Sequence, residues 1–277
     1  MDTLPAVAIL GAGSMGGAIL NGLVQPGSPV SGPVRVTNRT EAKAAALRSD
    51  EVISYSTEAD PNANLAAITG ARIVVVAVKP PMVPDLLRAI STALEPDAVV
   101  ISVAAGVTIA TMEALLPPSV AVLRAMPNTP ALVGRGVTGL AAGSRASASD
   151  LAMAHALFAT VGAVLEVPES KIDEVSAISG SGPAYVFYLI EQLTQTAVGL
   201  GFTPEQASLM VERTFLGASE LLSASGETPQ ELRRRVTSPH GTTERAIAEM
   251  AKADLGSMFD RMATSAIARA QEIAAGA

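Results

Sequence analysis

The feature that most constrains the fold is a glycine-rich segment near the start of the chain, between an apolar run and a segment of helical pattern. The segment reads Gly11-Ala12-Gly13-Ser14-Met15-Gly16 and directly follows Val7–Leu10. In a strand–loop–helix unit the first glycine allows a tight turn, the second lets a pyrophosphate approach the main chain, and the third lets helix and strand pack closely. The start of the helix adds free N–H groups and a partial positive charge. The sequence therefore predicts a dinucleotide-binding loop at residues 11–16.

The first half of the chain alternates short β-branched runs with longer Ala-rich segments of helical period. This alternation predicts an α/β fold with a doubly wound, mostly parallel sheet that helices cover on both faces. Ile73–Val78 is apolar at every position, as a central strand buried on both faces should be. The remaining apolar runs are Val7–Leu10, Val34–Thr37, Val99–Val103 and Val120–Leu123, and the helical segments include Glu41–Arg48 and Val83–Leu94.

The second half of the chain has a different pattern. After Val164–Val167 the sequence is helical, so we expect a Rossmann-type domain over residues 1–167 and an all-α domain over residues 168–277. Ala184–Ile190 is apolar all round, and such a helix is normally buried on every side. About 110 residues of helix cannot surround it alone. We therefore predict a dimerisation domain in which two helical halves intertwine, and the oligomer size beyond this homodimer unit is left open.

Composition argues against several classes of function. The chain has 277 residues, a formal net charge of −7 and no Cys, so disulfides and thiolate zinc sites are excluded and binding to nucleic acid is not expected. The two histidines, His155 and His240, lie far apart in the sequence, which argues against a metal site. No apolar run approaches the ~18 residues that span a bilayer, and there is no signal-peptide pattern. We expect a soluble, cytoplasmic protein that does not act at a membrane.

The end of the second predicted strand indicates which dinucleotide binds. The strand ends in Thr37-Asn38-Arg39-Thr40, where NAD enzymes usually have an Asp or Glu that accepts hydrogen bonds from the ribose. A carboxylate would repel an added phosphate, whereas Asn38 and Arg39 can donate to one. The sequence therefore predicts NADP, with NADPH preferred and NADH as an alternative. The competing interpretation is that Arg39 is a solvated loop charge.

Several further segments resemble pyrroline-5-carboxylate reductase, and together with the glycine loop they span nearly the whole chain. The strongest match is Val236–Thr243, where the family usually reads Ser-Pro-Gly-Gly-(Thr or Ala)-Thr. The resemblance implies an NAD(P)H-dependent oxidoreductase that acts on a C=N bond and reduces 1-pyrroline-5-carboxylate to L-proline, the last step of proline biosynthesis. The other matching segments are Ala77–Pro80, Ser102–Val107, Arg124–Pro130 and Ser176–Tyr185.

The resemblance also implies roles for individual residues at the cofactor. In this family, the segment that corresponds to Ala77–Pro80 lines the cofactor groove, and an Asn upstream of that segment often helps to hold the adenosine end of the cofactor. The segment Ser102–Val107 corresponds to a strand end beside the nicotinamide. The cofactor-binding residues implied in this way are Asn64, Ala77, Val78, Lys79, Pro80 and Ala104, in addition to the glycine loop, Asn38 and Arg39.

In the strongest matching segment, the resemblance implies that Ser238, Gly241 and Thr242 hold the substrate carboxylate. It also implies that Thr243 forms a hydrogen bond at the ring nitrogen, which makes Thr243 the predicted catalytic residue. The loop leads into a helix that we expect to begin near Thr242, and its unpaired N–H groups suit a carboxylate. Without the resemblance, Ser238 and Thr243 would be interpreted as plain helix caps. His240 replaces the family's first Gly; it tolerates a positive φ less readily than Gly and can add positive charge at low pH.

Two other functions fit parts of the sequence. A β-hydroxyacid dehydrogenase has the same layout but uses a catalytic Lys in the helical half, and here no Lys lies between Gly182 and Lys252. A non-catalytic NADP-binding sensor would need the glycine loop but not the Ser238–Thr243 segment. Both alternatives involve a small-molecule ligand, and the reductase differs from them in requiring a cyclic imino acid as substrate.

Overall fold

The computed structural model of the chain describes residues 3–27 and 30–274. Its contacts divide the chain into two compact units, Met1–Ser181 with Ala266–Ala277, and Gly182–Ser265. The first unit contains a β-sheet with helices, and the second is helical. None of the helices in the described part is both long enough and apolar enough to cross a membrane.

Eight strands of the first unit form one sheet within the described ranges. They are β1 (Val7–Leu10), β2 (Val34–Asn38), β3 (Val52–Ser56), β4 (Ile73–Val76), β5 (Val99–Ser102), β6 (Ala121–Met126), β7 (Gly136–Ala142) and β8 (Gly162–Glu166). Their order is β3-β2-β1-β4-β5-β6-β7-β8, and all neighbours are parallel except β6 and β7. The strand order runs outward in both directions from β1 and β4, as in a doubly wound fold. The predicted fold class is confirmed.

Helices connect the strands and continue through the second unit. In the first unit they are α1 (Ser14–Leu23), α2 (Glu41–Ala45), α3 (Ala63–Ile68), α4 (Val83–Ile90), α5 (Ile109–Glu113), α6 (Ala148–Ala159) and α7 (Ile172–Val175). A π-helical turn, Ser176–Gly180, follows α7. The second unit has α8 (Gly182–Gly199), α9 (Pro204–Ser225), α10 (Pro229–Arg235), α11 (Thr242–Lys252) and the first part of α12 (Leu255–Ala274), whose end belongs to the first unit.

The central strands are buried on both faces, as their unbroken apolar sequence predicts. All residues of β1 and β4 are 0% exposed. Successive side chains alternate between two apolar layers: Ile9 lies in the layer that contains Phe158 of α6, and Leu10 lies in the layer that contains Leu87 of α4. Burial from both sides fixes the strands in place, so the loops that follow their carboxyl ends start from a rigid support.

Two strands were not predicted, and one was predicted too long. β3 mixes polar and apolar residues at the sheet edge, and β7 contains Gly136 and Gly139, which are weak strand formers. Gly139 is needed for packing, because a Cβ there would lie 2.8 Å from Cγ1 of Val175. The predicted strand Ile73–Val78 leaves the sheet after Val76 and not at Val78. In β7, the contact of Gly139 with Val175 outweighs local sequence preference.

The division of the chain by contacts falls later than the boundary predicted at residues 167/168, which remains a prediction. The first unit continues to Ser181 because the segment after β8 packs back onto the sheet. Ile172 is 0% exposed and belongs to one of the two apolar layers, and Val175 contacts Gly139 of β7. The helical unit then begins at Gly182, where α8 starts.

The helical unit has the expected cap but exposes apolar side chains. The sequence Thr203-Pro204-Glu205-Gln206 is typical of a helix start, and in the structure Thr203 caps α9 through a capping box with Gln206 while Pro204 occupies the first helical position. In α8, Phe187 is 65% exposed and Tyr188 is 61% exposed. These rings lie in the segment predicted to need burial on every side, so in this single chain the segment lacks the cover that it requires.

Candidate active site

The three glycines of the loop between β1 and α1 have the three different environments that dinucleotide binding requires. Gly11 has φ +97°, so it makes a turn that other residues rarely adopt. A Cβ on Gly16 would collide with the carbonyl oxygen of Gly11, so this glycine allows the close packing of helix on strand. Apart from Gly13 and its neighbours in the chain, no atom of the described residues lies within 4 Å of the place where a Cβ on Gly13 would be. The open space is therefore at the second glycine, where a pyrophosphate approaches the main chain.

The start of α1 offers hydrogen-bond donors to an anion. Gly13 is the N-cap, no side chain caps the helix, and the first turn contains no acidic residue. The loop itself is held by Thr37 of β2: the N–H of Gly11 donates to Oγ1 of Thr37 at 3.1 Å, and the N–H of Ala12 donates to the Thr37 carbonyl at 2.8 Å. Because the loop is anchored, Ser14 and Met15 begin the helix with their N–H groups free for a ligand.

The carboxyl ends of four parallel strands bring most of the predicted cofactor residues to one edge of the sheet. Leu10 pairs with Thr37 on one side and with Val76 on the other, and Val76 pairs with Ser102. The residues that follow these positions therefore lie side by side. They are the glycine loop, Asn38, Ala77 and Val78, and Ala104. β1 and β4 are the strands at which the strand order reverses, which is where ligands bind in open α/β sheets.

Asn38 has an unsatisfied buried donor. The residue is 6% exposed, and its Nδ2 has no hydrogen-bond partner among the described residues. Buried polar atoms without partners are rare in folded proteins, so such an atom indicates a missing ligand or water. Arg39 follows at the surface with 83% of its side chain exposed, and its Nε lies 3.5 Å from Oε1 of Glu58. Both residues fit a dinucleotide ribose and its phosphate.

The other cofactor residues implied by the family resemblance also lie in the first unit. Ala77 and Val78 are half-buried after β4, and the N–H of Ala77 donates to the Leu10 carbonyl at 2.9 Å. Lys79 is exposed and precedes a 3₁₀ turn that starts at Pro80. The remaining two are Asn64, half-buried in the first turn of α3, and Ala104, 5% exposed, whose N–H donates to Oγ of Ser102 at 3.2 Å.

A cavity of about 270 Å³ lies beyond the carboxyl ends of β5 and β6 in the first unit. Three of the segments that resemble the reductase family line it, through Gly106, Arg124 and Ser176 among others. Arg124 is 5% exposed and pairs with Asp173 at 3.1 Å and Glu169 at 3.5 Å. Because two carboxylates balance its charge, Arg124 serves as a support of the cavity wall. The segment around Arg124 is recognisable in the sequence, but this role is not, because it depends on contacts with residues more than forty positions away.

The predicted substrate loop lies in the second unit and turns sharply before α11. His240 has φ +60°, so it occupies the left-handed conformation anticipated for the family's Gly. The N–H of Gly241 donates to the Ser238 carbonyl at 3.0 Å, and the N–H of His240 donates to Oε2 of Glu244 at 2.9 Å. The helix begins at Thr242, as predicted. The loop is thus held by its own hydrogen bonds.

The donors at the start of α11 are free. Gly241 is the N-cap and no side chain caps the helix, so neither Ser238 nor Thr243 acts as the plain cap of the alternative interpretation. In the part of the chain that the structure describes, the hydroxyl groups of Ser238, Thr242 and Thr243 have no hydrogen-bond partner, and neither do the N–H groups of the two threonines. This cluster of hydroxyl and N–H donors suits a carboxylate.

Thr37 and Ser102 are functional supports that sequence reasoning missed. Thr37 holds the glycine loop through two hydrogen bonds, and Ser102 holds the main chain of Ala104. Both are polar residues at the carboxyl ends of buried strands, Thr37 as the second-last residue of β2 and Ser102 as the last residue of β5, next to predicted ligand-binding residues. That position was the available signal, because a polar side chain at a buried strand end needs a partner.

The doubly wound sheet, with an open glycine loop where the strand order reverses, defines a Rossmann-type dinucleotide-binding protein. A family model described as "Pyrroline-5-carboxylate reductase dimerisation" matches residues 169–273, and one described as "NADP oxidoreductase coenzyme F420-dependent" matches residues 6–106. The pyrroline-5-carboxylate reductase of Pseudomonas aeruginosa is 36% identical, with 98% of this chain and 97% of that protein covered. The chain belongs to the pyrroline-5-carboxylate reductase family.

Solved structures agree with this assignment. A pyrroline-5-carboxylate reductase from Coxiella burnetii is 34% identical, has a TM-score of 0.89 and is covered over 98% of both chains. A Plasmodium falciparum pyrroline carboxylate reductase with NADP bound has a TM-score of 0.81 at 24% identity over 99% of both chains, which shows the same fold. The dimerisation model that spans the helical unit identifies the protein as a homo-oligomer.

Proposed function

We propose that this protein reduces 1-pyrroline-5-carboxylate to L-proline with NADPH, the last step of proline biosynthesis. The observation that carries the proposal is the loop before α11, where, within the described residues, the hydroxyl groups of Ser238, Thr242 and Thr243 and the N–H groups of the two threonines have no protein partner. Family membership over nearly the whole chain supports it. The same evidence favours imine reduction over the β-hydroxyacid dehydrogenase and the dinucleotide sensor.

In this proposal the first unit binds the cofactor. The residues at the start of α1, Ser14–Gly16, donate their N–H groups to the pyrophosphate across the open space at Gly13. Asn38 supplies its unpaired Nδ2 to the ribose end, and Arg39 pairs with the 2′-phosphate. The remaining contacts are van der Waals or polar contacts along the groove from Ala12, Asn64, Ala77, Val78, Pro80 and Ala104. Lys79 balances phosphate charge and takes no part in proton transfer.

In the second unit, Ser238, Gly241 and Thr242 hold the substrate carboxylate, and Thr243 forms the hydrogen bond at the ring nitrogen. NADPH supplies the hydride, which forms the new C–H bond at the carbon of the C=N bond, while the electron pair of that bond moves to nitrogen. An imine nitrogen is basic enough to arrive protonated, so the protein needs no strong acid. Its contribution is to position the reactants, exclude water and hold the carboxylate.

We also propose that the homo-oligomer is built from an intertwined dimer. The exposed apolar residues of α8, such as Phe187 and Tyr188, are then covered by the helical unit of a second copy. Larger homo-oligomers of this dimer and a cytoplasmic location remain predictions. Sedimentation equilibrium of the purified protein tests the dimer: a monomer at micromolar concentration would contradict it.

A direct assay tests the reaction. We expect the purified protein to oxidise NADPH in the presence of 1-pyrroline-5-carboxylate and to form L-proline in equal amount. The six-membered cyclic homologue, tested with both NADPH and NADH, measures how strictly the site selects ring size and cofactor. Oxidation of β-hydroxy acids without imine reduction would contradict the proposal, and so would dinucleotide binding without any turnover of the imine.

A further inference from the structure

The loops that follow β2 and β3 are joined through their main chains. The N–H of Thr57 donates to the Asn38 carbonyl at 2.9 Å, and the N–H of Glu58 donates to the Arg39 carbonyl at 3.0 Å. Oγ of Ser56 also donates to the Arg39 carbonyl, at 3.2 Å. The position of Glu58 beside Arg39 is therefore set by the backbone and does not depend on attraction between the two side chains.

The side chains of Arg39 and Glu58 form a weak surface pair. Nε of Arg39 lies 3.5 Å from Oε1 of Glu58, and the side chains are 83% and 56% exposed. Exposed pairs of this kind contribute little to stability, because solvent screens them and ordering two long side chains costs entropy. The pair with Arg39 therefore contributes little to the stability of the fold. Glu58 matters instead as a negative charge beside Arg39, where the cofactor phosphate is proposed to bind.

A nearby carboxylate at the same edge of the sheet is neutralised differently. Glu41, in the first turn of α2, pairs with Nη1 of Arg48 at 2.7 Å, and this partner lies outside the predicted ligand-binding residues. The hydrogen bond that Arg48 donates to Glu41 raises the pKa of the Arg48 guanidinium above its usual value. Glu58, in contrast, pairs with the arginine proposed to bind the 2′-phosphate. Only Glu58 of these two carboxylates must compete with the ligand for its cation.

We propose that Glu58 limits the preference for NADPH over NADH by opposing the 2′-phosphate at Arg39. The inference rests on the proposed function, in which Asn38 and Arg39 bind that end of the cofactor. A 2′-phosphate that pairs with Arg39 must compete with the Glu58 carboxylate for the same guanidinium, and the two negative charges repel each other. NADH has a hydroxyl at the same position and does not meet this repulsion. Glu58 is therefore a specificity-determining residue.

Calorimetric binding of two cofactor fragments tests this inference without turnover. 2′,5′-ADP carries the 2′-phosphate, and ADP lacks it. In Glu58→Gln, which keeps the size of the side chain, we expect the Kd of 2′,5′-ADP to fall by roughly three- to tenfold, whereas the Kd of ADP changes by less than about twofold. The gain should shrink in 1 M salt, because exposed charges are then screened.

Glu51→Gln is the matched control. Glu51 precedes β3 and Glu58 follows it, so the two glutamates lie at opposite ends of one strand, roughly 20 Å apart. Both variants change the net charge equally. Equal tightening in both variants, no tightening in Glu58→Gln, or an equal effect on ADP would overturn the inference while leaving the reductase intact. Failure of the wild type to bind either fragment would instead overturn the proposed cofactor site, and the inference with it.

Discussion

The glycine loop before α1 and the Ser238–Thr243 loop before α11 solve the same problem on different supports. Both lead into a helix without a side-chain cap and offer N–H groups to an anion. The first loop follows a strand that is 0% exposed and is tied to its neighbour by Thr37. The second follows a short exposed helix and is held by its own hydrogen bonds and by Glu244.

The two units also differ in how completely they bury their apolar side chains. The sheet unit buries its apolar residues within one chain, in two layers, whereas the helical unit leaves large side chains such as Phe187 and Leu209 more than half exposed. The sheet unit therefore needs no second copy to bury its core. The helical unit needs a second copy to bury its apolar faces, so the order of the substrate loop is expected to depend on assembly.

The largest expected effect separates binding from folding at the first loop. In Gly13→Val, the new side chain enters space where no protein atom lies within 4 Å, so the fold should be unaffected while the pyrophosphate is blocked. We expect KM for NADPH to rise roughly 100-fold or more with Tm unchanged. Gly17→Ala, one turn along α1, is the control and should have native KM, because its Cβ meets only ordinary contacts. A native KM in Gly13→Val would mean that the cofactor does not cross the open space at this glycine.

At the second loop, Ser238–Thr243, we expect turnover to fall while cofactor binding stays unchanged. Thr243→Ala removes the hydroxyl proposed to contact the ring nitrogen, so kcat should fall roughly 10- to 100-fold while the Kd of NADPH stays unchanged. Stopped-flow measurement of the hydride transfer step and equilibrium titration of NADPH separate the two quantities. Thr264→Ala is the control, since that hydroxyl donates only to the Asp260 carbonyl within α12. If Thr243→Ala retained full turnover, its catalytic role would be discarded.

A smaller effect is expected at Arg39, which is proposed to select NADPH over NADH. Arg39→Asp replaces the proposed phosphate donor with the acidic residue usual in NAD enzymes. We expect kcat/KM for NADPH to fall by about 10- to 30-fold and that for NADH to change by less than about threefold. Arg88→Asp, on the surface of α4, gives the same charge change away from the site. An unaltered preference for NADPH would support the interpretation of Arg39 as a solvated loop charge.

The sequence predicts both loops better than it predicts what holds them. Residues 11–16, the start of α11 at Thr242 and the capping box at Thr203 all follow from local chemistry: a strand before a glycine turn, or a cap before a helix. β7 could not be predicted in this way, because Gly139 is there to admit Val175, a residue far along the chain. The roles of Thr37 and Arg124 likewise depend on partners from other elements. Local pattern gives the position of a loop, whereas contacts across the fold determine its rigidity.

The smallest expected effect concerns the one residue that departs from the family pattern. His240 is held at φ +60°, which costs a residue with a Cβ roughly 1 kcal/mol relative to Gly, partly offset by the greater freedom of Gly in the unfolded chain. His240→Gly should therefore raise the free energy of unfolding by about 0.5 kcal/mol, and it removes the imidazole as well.

His240→Ala is the control: it removes the imidazole but keeps the strained φ, so it should not gain stability. Equilibrium urea unfolding compares the two variants. A gain in stability shared by His240→Ala would mean that the side chain, and not the backbone angle, is unfavourable in this loop.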